Sequence, residues 1–184
     1  MIQKSNTQLI AQLFFQQPNK SYSLKDISRT ISLAHTSVKP CLDKLLKIKL
    51  IIKNVEKKGK RNFPTYVANK NSNMYIKHKV SNNLSNLIQS ELIRVLEEKF
   101  FPKTIILFGS YLRGEDDETS DIDLFIQSNE EHIDLTKFEK LFCRKIQLHF
   151  NKEFRKISEE LRNNLINGFV LSGFLDIHDN KNNS

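Results

Sequence analysis

Gly109-Ser110 and the carboxylate pair Asp121 and Asp123 are separated by ten residues, and each lies against an apolar run. Ile105 to Phe108 reads as a buried strand that hands over at Gly109-Ser110 to a tight, phosphate-sized turn. Ser120 to Ile126 reads as the next strand. Asp121 and Asp123 sit two apart within it, so both carboxylates leave the same face, roughly 6–7 Å apart along the chain. Acids are disfavoured in a strand this apolar, which gives the pair a purpose beyond solubility. Two carboxylates at that distance can share or bridge divalent ions, and small residues let backbone N–H groups approach a triphosphate. Together they describe a site for a nucleotide with magnesium.

The order Gly-Ser, ten residues, Asp-x-Asp, with Arg113-Gly114 and Ser120 in the intervening loop, resembles the signature of the minimal nucleotidyltransferases of the DNA polymerase β superfamily. The resemblance covers residues 100 to 175 and implies an α/β nucleotidyltransferase domain with a mixed sheet over 101–178. It implies Mg²⁺ or Mn²⁺ held by Asp121 and Asp123, which are also the catalytic pair. It further implies ATP or another nucleoside triphosphate gripped by Gly109 and Ser110, with Arg113 assisting. The reaction would move a nucleoside monophosphate to a hydroxyl acceptor, with pyrophosphate leaving.

One family feature is missing. These transferases usually carry a third carboxylate on the following strand, here Lys145 to Phe150. With Ile146, Leu148 and Phe150 turned to the core, the other face presents Lys145, Gln147 and His149, and Gln147 stands where the acid is expected. A carboxamide is a weak ligand for magnesium, whereas an imidazole suits softer metals. His149 is either a substitute general base or a half-exposed strand residue with no task. Two readings besides the transferase therefore stay open. One is a DNA-binding regulator whose nucleotidyltransferase domain has lost catalysis. The other is an antitoxin-like protein, since small relatives of the family work beside a toxin partner, sometimes by transferring AMP to it. The acidic run Glu115 to Glu118 reads as a solvated loop, and Asp134 as the partner of a helix start.

Charge divides the 184 residues unevenly. Residues 1–70 hold fourteen Lys and Arg against three Asp and Glu, a balance of +11, and the rest hold fifteen against eighteen, a balance of −3, which returns the net +8. A basic excess confined to one unit is an electrostatic footprint for a polyanion. No apolar run approaches the roughly 20 residues of a membrane span, so no membrane partner is expected. Cys41 and Cys143 lie far apart without metal-site neighbours, which fits a reducing, cytoplasmic setting.

Apolar spacing in the basic unit predicts helices over Thr7–Phe15, after an N-cap at Ser23, and over Thr36–Lys47 with Pro40 in or near its first turn. Leu50–Glu56 and Phe63–Ala68 then read as a β-hairpin whose tip, residues 57–61, carries four cations. Three helices and a hairpin resemble a winged helix-turn-helix, in which the third helix enters the major groove and the wing touches the backbone. That resemblance places Ser37, Lys39 and Lys44 toward a groove and Lys57, Lys58, Lys60 and Arg61 on phosphates. It also suggests a homodimer by analogy, with dimerisation or substrate docking as the alternative use of the fold. The whole is an α+β chain: a winged helix-turn-helix at 1–70, a helical linker at 71–100 that is one long helix or two shorter ones broken near Ser81–Asn83, the transferase domain, and a disordered polar tail at 179–184.

Overall fold

The computed structural model describes residues 4–58 and 61–176. Gly59 and Lys60 of the hairpin tip, the side chains of Lys58 and Arg61, and the expected tail at 179–184 lie outside these residues. The chain divides into two compact units at Asn82/Asn83.

In the first unit, helix α1 (Asn6–Gln16) starts from a capping box in which Ser5 and Gln8 satisfy each other's backbone N–H groups. A second capping box, Ser23 with Asp26, opens α2 (Leu24–Thr30), and hydrogen bonds from Ser23 hold the Asp26 carboxyl below its ordinary range. Helix α3 (His35–Lys47) follows, with Pro40 as its sixth residue rather than in its first turn. The carbonyl of Thr36 thereby loses its helical donor. Strands β2 (Ile51–Lys58) and β3 (Arg61–Ala68) form the expected hairpin, paired from Ile51↔Ala68 to Lys58↔Arg61. A two-residue strand, β1 (Tyr22–Ser23), adds to β3 and makes a three-stranded sheet of order β1-β3-β2. Ile10, Phe14, Ile27, Val38, Leu42 and Leu45 fill the core under this sheet, where the Tyr75 hydroxyl donates to the carbonyl of Phe14 at 2.9 Å.

Helix α4 (Asn73–Gln89) is continuous through Ser81–Asn83, the unbroken of the two forms the sequence leaves open. Within the polar triplet Asn83 is buried, with both amide hydrogens engaged. The chain turns instead at Ser90-Glu91, with Glu91 in the left-handed region at φ 64°, before α5 (Leu92–Phe100). Ser90 stabilises that turn, donating to the Leu87 carbonyl and accepting from the Leu92 N–H.

The second unit is built on a four-stranded mixed sheet of order β6-β5-β4-β7. Its strands are β4 (Thr104–Phe108), β5 (Ile122–Ile126), β6 (Ile146–Phe150) and β7 (Phe169–Gly173). Only the β5–β6 pair is parallel, its crossover running through helix α7 (Thr136–Phe142). Alternation along β4 and β5 sorts side chains to two cores. Ile105, Leu107, Ile122, Leu124 and Ile126 join Leu87, Leu92, Leu96, Phe138 and Phe142 on one face. Ile106, Phe108 and Phe125 join Phe154, Ile157 and Leu165 on the other, beneath α8 (Glu159–Ile166). Asp121 and Asp123 share the parity of Phe125 and therefore belong to this second face, at the end of the sheet where packing stops.

Candidate active site

Strand β4 is buried at every position, so the chain leaves it rigidly held. The next residue, Gly109, has φ +77°, a conformation that suits glycine. A Cβ there would fall well inside contact distance of the Asp123 carboxylate oxygen Oδ2. Two demands thus meet at one position, and only a residue without a side chain satisfies both. Gly109 opens a single helical turn, α6 (Gly109–Arg113), which Gly114 closes in the left-handed region. The expected tight turn is therefore the first turn of a short helix, with half-buried Ser110 as its second residue.

The register sets the remaining members. Phe108 pairs with Asp123 across the antiparallel β4–β5 ladder, and Asp123 pairs with Gln147 across the parallel β5–β6 ladder. Gln147 Nε2 donates to Asp121 Oδ2 at 2.5 Å, and His149 Nε2 lies 3.3 Å from Asp123 Oδ1. The His149 ring also packs on Phe108 at 5.2 Å between centroids. Gly109, Asp121, Asp123, Gln147 and His149 are thus brought together from positions as distant as 109 and 149. Among the described residues neither aspartate is paired with a lysine or arginine, although the Asp123 side chain is only 25% exposed. Two hard oxygen donors with no lysine or arginine partner fit a cation such as Mg²⁺, which is commonly bound by one or two carboxylates together with substrate phosphates. No cluster of three or more His, Cys, Asp or Glu among the described residues is arranged to hold a metal ion by itself.

Arg113 points elsewhere: its Nε donates to Glu115 at 2.7 Å, and both side chains are exposed. The rest of the acidic loop departs from a solvated run. Asp117 accepts from the Thr119 N–H at 2.9 Å and from the Thr119 and Ser120 hydroxyls, which hold its carboxyl down to about 2. Asp116 is 2% exposed and forms an ion pair with Arg144 at 2.9 Å. Asn83 donates both to Asp116 and to the carbonyl of Tyr111 in α6, each at 2.9 Å. Burial raises the Tyr111 phenol well above its usual range, with Asp116 adding to the effect and Arg144 opposing it. Asn83, Asp116 and Arg144 carry no sequence motif, and an acid among acids gives no signal that it is buried. Asp134 accepts from the Thr136 N–H at the start of α7, as its position suggests.

An open cleft of about 430 Å³ reaches Asp121 but not Asp123, Gln147 or His149; its walls include Ser120 and Asp121 from the loop, Thr136 and Lys140 from α7, and Arg144 and Lys145 before β6. In the first unit, Ser37, Lys39 and Lys44 are exposed on α3, and Lys57 is exposed on β2. Lys58 and Arg61 face each other across the ladder by backbone register. No helix among the described residues is long and apolar enough to cross a membrane.

Comparison with known proteins agrees with this geometry. Residues 89–171 match the family model of the nucleotidyltransferase domain. A Methanocaldococcus jannaschii protein named as a candidate protein adenylyltransferase is 38% identical over 63 residues. That match covers 30% of this chain and 63% of the relative, so the chain spans less than two thirds of the relative's length. A solved chain from Methanosarcina mazei Go1, described as a candidate transcriptional regulator, aligns over 52% of this chain and 76% of its own, with 16% identity and a TM-score of 0.35. The family match and the curated relative support a domain of the nucleotidyltransferase superfamily in the second half of the chain.

Proposed function

We propose that this domain binds a Mg²⁺- or Mn²⁺-bound nucleoside triphosphate, ATP or another, and transfers its nucleoside monophosphate to a hydroxyl acceptor. The observation that carries the reading is the meeting of Gly109 with Asp123 beside Asp121: a turn without a side chain, directly against a carboxylate pair that no lysine or arginine among the described residues engages. Asp121 and Asp123 would hold the divalent ion. The ion supplies charge neutralisation for the phosphates and for the oxygens entering and leaving the α-phosphorus. Gly109 and Ser110 hold the β- and γ-phosphates through backbone N–H groups and the Ser110 hydroxyl. Arg113 assists them once released from Glu115.

In-line displacement puts the entering hydroxyl opposite the departing pyrophosphate. With the pyrophosphate over Gly109-Ser110 on the β4 side, the acceptor would arrive on the β6 side, the side of Gln147 and His149. His149 stands at that side as the proton acceptor in place of the missing acid. The relative's name makes a protein hydroxyl, such as that of a toxin partner, the acceptor of choice.

Calorimetric titration of ATP with Mg²⁺ tests the reading. Wild type binds, and Asp121→Asn/Asp123→Asn loses on the order of a hundredfold or more in affinity, as expected when the ion's protein ligands are removed. A double variant that binds as tightly as wild type overturns the assignment.

The direct bond from Gln147 to Asp121 favours a second reading, in which the site binds nucleotide without turnover and the protein acts as a DNA-binding regulator. Gln147→Asp separates the two: it raises transfer of α-labelled nucleotide if the third carboxylate is what the chemistry lacks, and leaves it at zero otherwise. In both readings the first unit serves as a winged helix-turn-helix DNA module. Ser37, Lys39 and Lys44 would face the groove, with Lys57, Lys58, Lys60 and Arg61 on phosphates. Each phosphate-contacting lysine removed should lower the slope of log affinity against log salt by about 0.9. A slope unchanged in Lys57→Ala/Lys60→Ala would move the polyanion off the wing.

A further inference from the structure

None of Asn83, Asp116 and Arg144 is among the residues assigned to phosphate, metal or proton transfer, yet their hydrogen bonds join segments that carry those residues. Asp116 lies in the loop between α6 and β5. Its Oδ2 accepts from Arg144 Nε at 3.2 Å and Nη2 at 2.9 Å, and its Oδ1 accepts from Asn83 at 2.9 Å. Arg144 ends the turn that leads into β6, the strand of Gln147 and His149. Asn83 spends its second amide hydrogen on the carbonyl of Tyr111. That carbonyl belongs to a helix of only five residues, whose late carbonyls have no intrahelical donor. All three side chains are at most 8% exposed.

A buried ion pair is a poor way to gain stability, because desolvation of both ions offsets most of their attraction. Apolar side chains of similar size would hold three segments together at least as firmly. They would not fix direction. The hydrogen bonds do, and what they aim is the helix that begins at Gly109-Ser110 and the strand that faces Asp121 and Asp123.

We propose that Asp116 is the positioning residue of the nucleotide site, setting α6 against the end of β5 through Asn83 and setting β6 through Arg144. The proposal rests on the transferase reading above for its effect on nucleotide, but its effect on α6 can be measured without any ligand.

The informative variant is Asp116→Leu/Arg144→Met in the full chain, which removes the directional bonds and both of these charges while filling the space. Its melting temperature stays near that of wild type or rises. Hydrogen exchange of the backbone amides of residues 111–115 becomes faster than in wild type, and Mg²⁺-dependent ATP affinity falls on the order of tenfold or more, the usual cost of losing a supporting shell. Asn83→Leu, with the ion pair intact, speeds exchange in the same segment. The proposal is overturned if the stable double variant keeps both wild-type exchange and wild-type ATP affinity, for then the cluster merely fills space. If wild type binds no triphosphate at all, the transferase reading fails instead. Exchange in residues 111–115 then decides alone: faster exchange supports the positioning role, and unchanged exchange rejects it.

Discussion

Asp116 and the pair Asp121 and Asp123 belong to one short stretch of chain and meet opposite fates. Asp116 is buried, and its carboxylate oxygens are taken up by Arg144 and Asn83. Asp121 and Asp123 sit at the open end of the sheet, and their side-chain partners are a carboxamide and an imidazole. A carboxylate that has its own cation is part of the structure. Two neighbouring carboxylates with no lysine or arginine beside them repel each other, and a bound cation would relieve that repulsion. The difference separates the acids that shape this domain from those available for chemistry, which their shared acidity alone does not.

The largest effect that probes this contrast is on folding. Arg144→Ala breaks the buried ion pair with Asp116 and should lower unfolding free energy by about 3–5 kcal/mol. Asp121→Asn/Asp123→Asn removes mutual repulsion and should be neutral or stabilising. Urea denaturation of the two variants reads both numbers, and equal losses would erase the distinction between the two sets of acids.

Gly109→Ala comes next, with two separable costs. A left-handed φ for a residue with a Cβ costs on the order of 1–3 kcal/mol, and the methyl group also drives into Asp123. Combining Gly109→Ala with Asp123→Ala should recover the steric part and leave the backbone part. Strict additivity of the two substitutions would mean that the turn and the carboxylate are independent, contrary to the close approach seen here.

How far the sequence foretells this site depends on how local each cause is. Gly109, Ser110, Asp121 and Asp123 were legible because their signal is short-range: an apolar strand, a small-residue turn, and two acids of one parity. Ser23 with Asp26, the third helix and the hairpin were legible for the same reason. Asp116 was not, because its burial is decided by Arg144 and Asn83, 28 and 33 residues away. The continuity of α4 through Ser81–Asn83 belongs to the same network, since three polar residues in a row leave a break and an unbroken helix both open until one of them is seen to be buried. Strand β1 is two residues long, too short to show alternation, and exists because β3 offers an edge at Tyr66 and Thr65. Placing Gln147 and His149 on the face of the carboxylates required only parity along one strand. Their direct bonds to Asp121 and Asp123 required the parallel register as well.

Asp117 supplies the smallest test and a third case beside the other two. Its carboxylate is satisfied by hydroxyls and an N–H rather than by a cation, and those bonds lower its pKa from the ordinary 3.8 to about 2. A carboxyl held below its unfolded value contributes stability that is fully present above that value. The contribution is lost as pH falls through the folded value. The window here runs from about pH 4 down to about pH 2. Asp117→Asn keeps an oxygen acceptor for Thr119 and Ser120 but has no proton to gain, so it should flatten part of the acid limb of the stability curve without altering it near neutrality. Unfolding free energies at pH 4, 3 and 2 for wild type and variant would measure this. If the two curves fall in parallel across that window, the hydroxyl cradle does not hold the charge, and the loop depends on Asp116 alone for its shape.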